Sequence, residues 1–340
     1  QERSLHSTRR LNHIALILLS LVALLSIACD GSKPEADRPV QLALNWFPEA
    51  EHGGYYAAQV HGDYSRSGVE IEILGGGPDA PVVKRVASGE VEFGLTNADG
   101  VITARAAGAP VVAVFAPYQI NPRCIVVHEH SGIQQISDIE NLTLALSQRP
   151  AFSHYLRHRY SFPGVTIVPY HGSVTPFVDD PAYAVQGYVF SEPVLARRLG
   201  ATPRALLVAE TGFNPYASVL ITSEARLASE PQIVAAVVTA AQRGWIRYLE
   251  DSHRTNQHIH SLNPEMDVEI LEIGAEMSRE LVLVGEGMPI TQIGDMSLDR
   301  WQLLIEQMEQ AQIVKPGQVS APTCFTTTYL PISGASGGGS

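Results

Sequence analysis

Hydrophobic and polar positions repeat along the chain with periods that alternate between those of strands and helices. Residues 41–46 and 69–74 follow the strand period of two, and residues 53–60 follow the helical period before Gly62 ends it. The alternation continues with helices predicted at 79–88 and 99–108 and strands at 91–96, 110–116 and 123–127. Strands that alternate with helices are typical of parallel or mixed sheets, so this half of the chain is predicted to be α/β.

The strand and helix pattern restarts after Cys124 and then changes character. Strands are predicted at 142–146, 165–169, 188–190 and 206–208, with a helix at 152–160. From Pro231 onward, helices predominate and are predicted at 233–250, 267–280 and 298–311, and we expect them to pack back onto the first sheet. The predicted fold class is α/β, with two mixed sheets flanked by helices in a two-lobed body.

The N-terminal residues have the layout of a secretory signal peptide. Arg9 and Arg10 precede an apolar stretch over residues 14–28, which ends at Cys29. The stretch is shorter than the roughly 20 residues that span a bilayer, and a permanent membrane anchor is the alternative. We therefore expect a signal peptide at 1–28, a linker at 29–39 and a flexible tail at 332–340.

Cys29 follows Leu25-Ser26-Ile27-Ala28, which resembles a lipobox. The resemblance implies that diacylglycerol is attached to Cys29 and holds the protein on the membrane, with Asp30 keeping it at the cytoplasmic membrane. Plain cleavage to a soluble periplasmic form is the alternative, because Ser26 stands where a lipobox usually has a branched apolar residue. Twin-arginine export is a second reading of Arg9-Arg10, and we favour the ordinary secretory route.

Composition and charge narrow the function further. The formal net charge of −12 argues against nucleic acid as a partner. With Cys29 acylated, only Cys124 and Cys324 remain, and in an oxidising compartment they either pair or stay as two buried free thiols.

Three ordered motifs carry a resemblance to a known family. They are Asn45-Trp46-Phe47-Pro48, His52-Gly53-Gly54-Tyr55-Tyr56, and the run 87–94 that leads into Asn97. Together they resemble the substrate-binding proteins of ABC importers for thiamine pyrimidine precursors, sulfonates and nitrate. The resemblance implies a type II periplasmic binding protein, with lobe one formed by 40–120 and 219–331 and lobe two by 121–218. It also implies a monomer that captures a small-molecule solute and delivers it to membrane permease subunits.

Four candidate ligand-binding residues fall where strands of the first sheet end: Trp46, His52, Asn97 and Asp99. Ligands of open α/β sheets bind at this edge, where helix N-termini present free N–H groups. Trp46 and one of Tyr55 and Tyr56 suit stacking on a planar ring, with a place in the core as the alternative for the tyrosines. For His52, Asn97 and Asp99 the alternative is helix capping.

Three further candidates lie in the second half of the chain. Glu192 is a candidate because the resemblance implies it: in the pyrimidine-binding branch of the family, an acidic residue at the matching position contacts the ligand. A solvated loop carboxylate is the alternative. Asn214 and Tyr216 lie where the chain returns to lobe one and are expected to line the hinge and cleft, with simple turn chemistry as the alternative. Residues 147–153, at the start of a predicted helix, are expected to help close lobe two over the ligand.

Catalysis, a cofactor and a metal are not expected. His154 and His158 have the i, i+4 spacing of metal ligands but lack the glutamate of the zinc-protease motif. The chain also resembles the fungal pyrimidine-phosphate synthase, yet Thr96 and Gly100 occupy the places of that enzyme's lysine and histidine. A sensor domain of a signalling protein is a third class, which would need a second membrane segment or an output domain. We expect a binder of a thiamine pyrimidine precursor, with anions or riboflavin-like rings as alternative ligands.

Overall fold

The computed structural model describes residues 38–78, 80–284 and 289–331. The predictions for the signal peptide, for lipidation of Cys29 and for the tail at 332–340 lie outside these residues.

Ten β-strands and twelve α-helices make up the described part of the chain. The strands are β1 (Val40–Ala43), β2 (Ile71–Leu74), β3 (Phe93–Thr96), β4 (Val111–Phe115), β5 (Arg123–His128), β6 (Thr143–Ala145), β7 (Thr166–Val168), β8 (Tyr183–Tyr188), β9 (Pro203–Leu207) and β10 (Val219–Ser223). The helices are α1 (Gly53–Val60), α2 (Asp63–Arg66), α3 (Val82–Ala87), α4 (Ala98–Ala106), α5 (Ala151–Arg159), α6 (Thr175–Asp179), α7 (Glu192–Arg198), α8 (Glu224–Ser229), α9 (Pro231–Glu250), α10 (His253–Leu262), α11 (Val268–Val282) and α12 (Leu298–Gln310).

The strands form two five-stranded mixed sheets, which confirms the predicted fold class. The first sheet has the order β2-β1-β3-β10-β4, and β10 runs antiparallel to both of its neighbours. The second sheet has the order β7-β6-β8-β5-β9, and β5 runs antiparallel to both of its neighbours. We call the part of the chain around the first sheet lobe one and the part around the second sheet lobe two.

The chain passes between the two sheets through two crossovers, 116–122 and 208–218. They lie side by side, since Tyr118 and Ala217 form an isolated antiparallel bridge. Side-chain bonds join them as well: Asn214 Oδ1 accepts from the backbone N–H of Asn121 at 2.8 Å, and Asn121 Nδ2 donates to the carbonyl of Pro215 at 2.9 Å. A paired connection of this kind is the expected position of a hinge.

The long helix α9 packs on α1 of lobe one, as the sequence predicted for the C-terminal helices. The contact is close because glycines face it: a Cβ on Gly54 would lie 2.1 Å from the Trp245 ring, and one on Gly244 would lie 2.2 Å from the carbonyl oxygen of Gly54. Trp245 is fully buried in this contact. Lobe one therefore has a rigid core of helix on helix behind its sheet.

Several predicted elements differ from the structure. The strand predicted at 188–190 is wrong, because β8 covers Tyr183–Tyr188 and the chain turns immediately afterwards into α7. The strand β10 and the helices α6, α7, α8 and α10 were not predicted. Short or polar helices such as α10 have too little apolar surface for a periodicity signal, and antiparallel strands inserted into a sheet break the simple alternation.

Both described cysteines, Cys124 and Cys324, are free and buried. Of the two alternatives, the structure therefore shows two unpaired thiols and not a disulfide. Within the described ranges, no helix has the length and apolar character needed to cross a membrane.

Candidate ligand-binding site

A small cavity lies between the two lobes beside the crossovers. Its volume is about 40 Å³, and its walls come from the start of α4 in lobe one, the starts of β5 and α5 in lobe two, and both crossovers. Ligand pockets for drug-sized molecules usually measure about 300–1,000 Å³, so the lobes must separate further before a ring can enter. The lining residues are Asn97, Asp99, Asn121, Arg123, Pro150, Phe152, Val208, Phe213 and Pro215.

Asp99 brings a carboxylate to this cavity from the first turn of α4. Its Oδ1 atom is buried and has no hydrogen-bond partner in the structure. Burial raises the pKa of Asp99, while the nearby Arg123 and the backbone N–H groups of Asp99 and Gly100 lower it. The side chain is thus a buried acceptor held at a helix N-terminus and facing an open space.

Arg123 is the first residue of β5 and brings a cation to the same cavity from lobe two. Its guanidinium lies 4.4 Å from the Phe152 ring centroid and 4.6 Å from that of Tyr188, and Nη2 donates to Tyr188 Oη at 3.1 Å. Burial lowers the pKa of Arg123, but Tyr188 and the carboxylates of Asp99, Glu51 and Glu192 raise it by more. The group therefore stays charged between two aromatic rings.

A hydrogen bond between the lobes lies next to these charges. Asn97 of lobe one donates through Nδ2 to Tyr188 Oη of lobe two at 3.1 Å, and its Oδ1 accepts from the backbone N–H of Ser218 at 3.2 Å. Asn97 precedes α4, but its side chain makes no capping hydrogen bond. The helix-capping alternative is therefore wrong for Asn97, and its amide instead connects lobe one, the second crossover and lobe two.

A buried polar turn, Ala50–His52, leads into α1 on the lobe-one side. Glu51 Oε1 accepts from Asn45 Nδ2 at 3.3 Å, and His52 Nε2 lies 3.1 Å from Asn45 Oδ1. Because that oxygen can only accept, Nε2 carries the proton and Nδ1 is an acceptor, and Nδ1 has no partner in the structure. Burial lowers the pKa of His52 to about 3, so the ring is neutral at physiological pH.

Two glutamates of this region are also fully buried. Burial raises the pKa of Glu51 to about 7, with Asn45 and Arg123 acting against the rise and Glu192 adding to it. Burial, Glu51 and Glu192 together raise the pKa of Glu49 well above its ordinary value. The surroundings of Arg123 are therefore rich in carboxyl groups that resist ionisation.

Glu192 begins α7 and holds the end of β8 in place. Its Oε2 accepts from the backbone N–H of Tyr188 and its Oε1 accepts from Tyr170 Oη, both at 2.7 Å. Gly187 is required beside it, since a Cβ there would lie 2.7 Å from Glu192 Cβ. Glu192 does not line the cavity, and its carboxylate positions Tyr188, which does contact Arg123.

Tyr55, Tyr56 and Tyr216 are buried in the core, and none of them lines the cavity. Tyr55 is 0% exposed and donates to the carbonyl of Ser218 at 2.7 Å. Tyr56 packs with its ring edge against His258, and Tyr216 lies under the Arg300 guanidinium at 3.8 Å. The structure thus places both α1 tyrosines in the core, which was the alternative to stacking. It also corrects the expectation that Tyr216 lines the cleft, because Tyr216 is buried in the core as well. Consecutive helix residues cannot share one face, and both faces of α1 are covered here.

Trp46 lies just beyond β1, at the sheet edge that also carries Asn97. Its side chain is partly exposed and meets Phe47 edge-on, with ring centroids 5.6 Å apart. The backbone at Trp46 is held by Gly76, whose N–H donates to the Trp46 carbonyl at 3.0 Å and where a Cβ would lie 2.1 Å from the Leu44 oxygen. Trp46 remains available for stacking.

The sequence did not indicate Arg123, Asn121 or Tyr188 as site residues, whereas Phe152, which lines the cavity, belongs to the run 147–153 that was expected to help close lobe two over the ligand. A signal existed for Arg123, because an arginine at the head of the apolar strand Arg-Cys-Ile-Val-Val-His has to be held by a partner or a ligand. Across the residues that the structure covers, no group of three or more His, Cys, Asp or Glu side chains is arranged for a metal ion.

A family model described as NMT1/THI5 like matches residues 49–254. The chain belongs to the NMT1/THI5-like family.

Two curated relatives match over most of the chain. The riboflavin-binding protein RibY of Chloroflexus aurantiacus is 26% identical over 304 residues, which covers 86% of each protein. The formylaminopyrimidine-binding protein of Halalkalibacterium halodurans is 22% identical and covers 87% of this chain and 92% of its own length. A 4-amino-5-hydroxymethyl-2-methylpyrimidine phosphate synthase of Legionella pneumophila is 30% identical, but over only 100 residues.

Solved structures share the fold. The aliphatic sulphonate-binding protein SsuA of Escherichia coli superposes with a TM-score of 0.64 at 13% identity, over 86% of this chain and 92% of its own. The nitrate-binding protein NrtA of Synechocystis has the same TM-score at 10% identity, over 86% of both chains. These neighbours confirm the expected periplasmic-binding-protein fold.

Proposed function

We propose that this chain is the extracytoplasmic solute-binding protein of an ABC importer and that it captures a small planar heterocycle. The observation that carries the proposal is the cavity at which the edges of both sheets meet beside the two crossovers. In open α/β sheets, ligands bind at this edge. The two relatives that match most of the chain are named for binding riboflavin and formylaminopyrimidine, which are both flat, nitrogen-containing rings.

The mechanism that we propose is closure of the lobes about the paired crossovers. A solute docks on lobe one beside Trp46 and Asp99, and lobe two then brings Arg123 and Phe152 against it. The bond from Asn97 to Tyr188 forms only when the lobes meet, so it adds to the stability of the closed form. A ligand that contacts both lobes binds the closed form more tightly and shifts the population toward it.

A thiamine pyrimidine precursor and a riboflavin-like ring are the two ligand classes that the proposal includes. Trp46, at the edge of the first sheet, and Phe152, in the cavity wall, are the aromatic side chains for stacking. Sulfonate and nitrate are less suitable, because Arg123 is accompanied by the carboxyl groups of Asp99, Glu51 and Glu192.

An enzymatic role is the alternative that the Legionella relative raises. Pyridoxal phosphate chemistry needs a lysine for the Schiff base. The lysines in the part of the chain that the structure describes are Lys84 and Lys315, and neither lines the cavity. Thr96 and Gly100 occupy the places of the lysine and histidine of the fungal synthase that the sequence resembles, so the residues present do not fit that cofactor.

Attachment to the membrane through lipidated Cys29, monomeric state and delivery to permease subunits complete the proposal. A lipid anchor would keep the binding protein beside its permease on the outer face of the cytoplasmic membrane. Mass spectrometry of the mature N-terminus of the exported protein tests the anchor. A cleaved chain with an unmodified N-terminus would show that the protein is a soluble periplasmic binder instead.

A thermal-shift screen tests the binding function. Riboflavin, formylaminopyrimidine, hydroxymethylpyrimidine, small sulfonates and nitrate would each be added to the purified protein, since a ligand that binds only the native state raises Tm. We expect a flat heterocycle to raise Tm and the anions to leave it unchanged. A set in which nothing raises Tm, or turnover of a substrate, would overturn the proposal.

A further inference from the structure

The middle of helix α11 contacts both lobes at once. A Cβ on Gly274 would lie 2.6 Å from the Cβ of Ala50 in lobe one and 3.7 Å from the Cβ of Phe190 in lobe two. Elsewhere α11 is fixed to lobe one, since Arg279 Nη1 donates to the carbonyl of Leu249 in α9 at 2.7 Å. The helix is therefore a part of lobe one against which the turn before α7 of lobe two rests.

An ion pair joins the same two parts of the molecule at a second place. Arg198, the last residue of α7, pairs through Nη1 with Asp267, and its Nη2 lies 3.6 Å from Glu269 Oε2. Asp267 directly precedes α11 and Glu269 lies in its first turn, so the anions are at a helix N-terminus and the cation is at a helix C-terminus, where the helix dipoles favour them. The ion pair lies about 10 Å from Gly274 along α11.

The contact at Gly274 lies at the edges of the sheets that face the cavity. Ala50 follows β1, which runs parallel to β3, and the end of β3 leads to Asp99. Phe190 follows β8, whose end pairs with the start of β5 at Arg123. A rotation about the crossovers that widens the cavity between the lobes therefore also moves the turn after β8, and α7 with it, away from α11.

We propose that the ion pair of Arg198 with Asp267 and Glu269 is an interlobe latch, which stabilises the closed form and slows release of the solute without contacting it. The inference rests on the proposed binding function and assigns positioning residues outside the cavity, which none of the three lines. The side chains of Arg198 and Asp267 are 43% and 54% exposed, so the pair contributes little to folding. The balance between open and closed forms is also small, and a weak interaction is enough to shift it.

The variant Arg198→Met removes the charge and keeps much of the apolar length of the side chain. It should weaken solute binding about two- to fivefold, which is the range that an exposed ion pair supplies. The loss should appear as faster dissociation, because the solute leaves only after the lobes separate. Calorimetry and stopped-flow measurements would use riboflavin or hydroxymethylpyrimidine, whichever raises Tm in the thermal-shift screen.

Arg197→Met is the matched control for Arg198→Met. Arg197 is the preceding residue of α7, is exposed, and forms no ion pair with any residue that the structure describes. The control removes the same charge from the same helix turn, so it should leave affinity and dissociation rate unchanged.

A partner variant and added salt test the electrostatic origin of the effect. Asp267→Asn keeps the shape of the side chain, and the double variant should bind the solute about as weakly as Arg198→Met alone, because both changes remove one pair. Raising NaCl from about 0.1 M to about 1 M shortens the Debye length from about 10 Å to about 3 Å. The difference in affinity between Arg198→Met and Arg197→Met should therefore shrink at high salt.

The failures of the two proposals can be told apart. If Arg198→Met binds the solute as tightly as Arg197→Met, or more tightly, the latch inference fails and the binding function stands. A lower Tm of Arg198→Met with unchanged affinity would likewise show that the pair serves folding and not closure. Absence of binding across the whole screen would overturn both proposals.

Discussion

The hydroxyl group of Tyr188 is the place where the contribution of lobe contact to binding can be measured. Tyr188→Phe keeps the ring on which Arg123 stacks and removes only Oη, which accepts from Asn97 of lobe one and from Arg123 of lobe two, each at 3.1 Å. A neutral hydrogen bond contributes about 1 kcal/mol net and one to a charged group about 1.5–3 kcal/mol. The variant should therefore lose roughly 2–4 kcal/mol of unfolding free energy in total.

Only the Asn97 part of that loss depends on the lobes being closed against each other. If loss of the Asn97 bond makes closure of the lobes about 1 kcal/mol less favourable, the solute should bind roughly fivefold more weakly. Urea unfolding would give the stability change, and calorimetry with the solute that raises Tm in the screen would give the affinity change. The two measurements separate folding from closure.

Tyr55→Phe is the matched control for Tyr188→Phe. It removes one buried hydrogen bond, to the Ser218 carbonyl at 2.7 Å, which joins lobe one to the second crossover and makes no contact with lobe two. It should cost about 1–2 kcal/mol of stability and leave affinity unchanged. If Tyr188→Phe binds the solute as tightly as the unaltered protein, the bond between the lobes does not contribute to closure and the reasoning fails. A Tyr55→Phe variant that loses affinity would show that Tyr55 belongs to the site and not to the core.

Two further predictions concern lobe one. Trp46→Ala should weaken solute binding about tenfold with little change in Tm, because the partly exposed ring is free to stack on a ligand; unchanged affinity in calorimetry would exclude that stacking role. Burial raises the pKa of Glu51 from 4.5 to about 7, so the carboxylate ionises more readily in the unfolded protein than in the folded protein. Through Glu51 alone, the free energy of unfolding should therefore fall by about 3 kcal/mol as pH rises from 4.5 to 7. Glu51→Gln should abolish that part of the pH dependence in urea unfolding at pH 5, 6 and 7.5. Deprotonation of His52 raises the free energy of unfolding as pH rises, but it does so equally in the unaltered protein and in Glu51→Gln. If Glu51→Gln loses as much unfolding free energy between pH 5 and 7.5 as the unaltered protein, the pH dependence does not come from Glu51.

The predicted positions in lobe one illustrate what periodicity can deliver. The helix predicted at 53–60 coincides with α1, and the strand predicted at 91–96 contains β3. Both elements are almost continuously apolar because the core covers them on both faces. The strand predicted at 188–190 failed because Val189 and Phe190 are apolar for another reason, which is packing in the turn between β8 and α7.

Residue roles were harder to predict than elements. Asn97 and Asp99 were expected at the sheet edge, and the structure places both on the cavity wall. Arg123 was not expected, since nothing in a single sequence shows that Phe152 and Tyr188 lie on either side of it. Tyr55 and Tyr56 were attractive stacking candidates by residue type alone, and their position depends on α9, which follows them by more than a hundred residues.

The amino-acid sequence was sufficient to predict the α/β class, to reveal the family motifs and to locate the edge of the first sheet where polar residues gather. These follow from local patterns, because period, turn residues and helix starts are read from near neighbours in the chain. The folded structure was needed to show which aromatic residues are core, that Asn97 meets Tyr188 between the lobes, and that Asp99 and Arg123 line one cavity without forming a salt bridge. Those contacts join residues far apart in sequence, and burial and electrostatics depend on what the fold brings together.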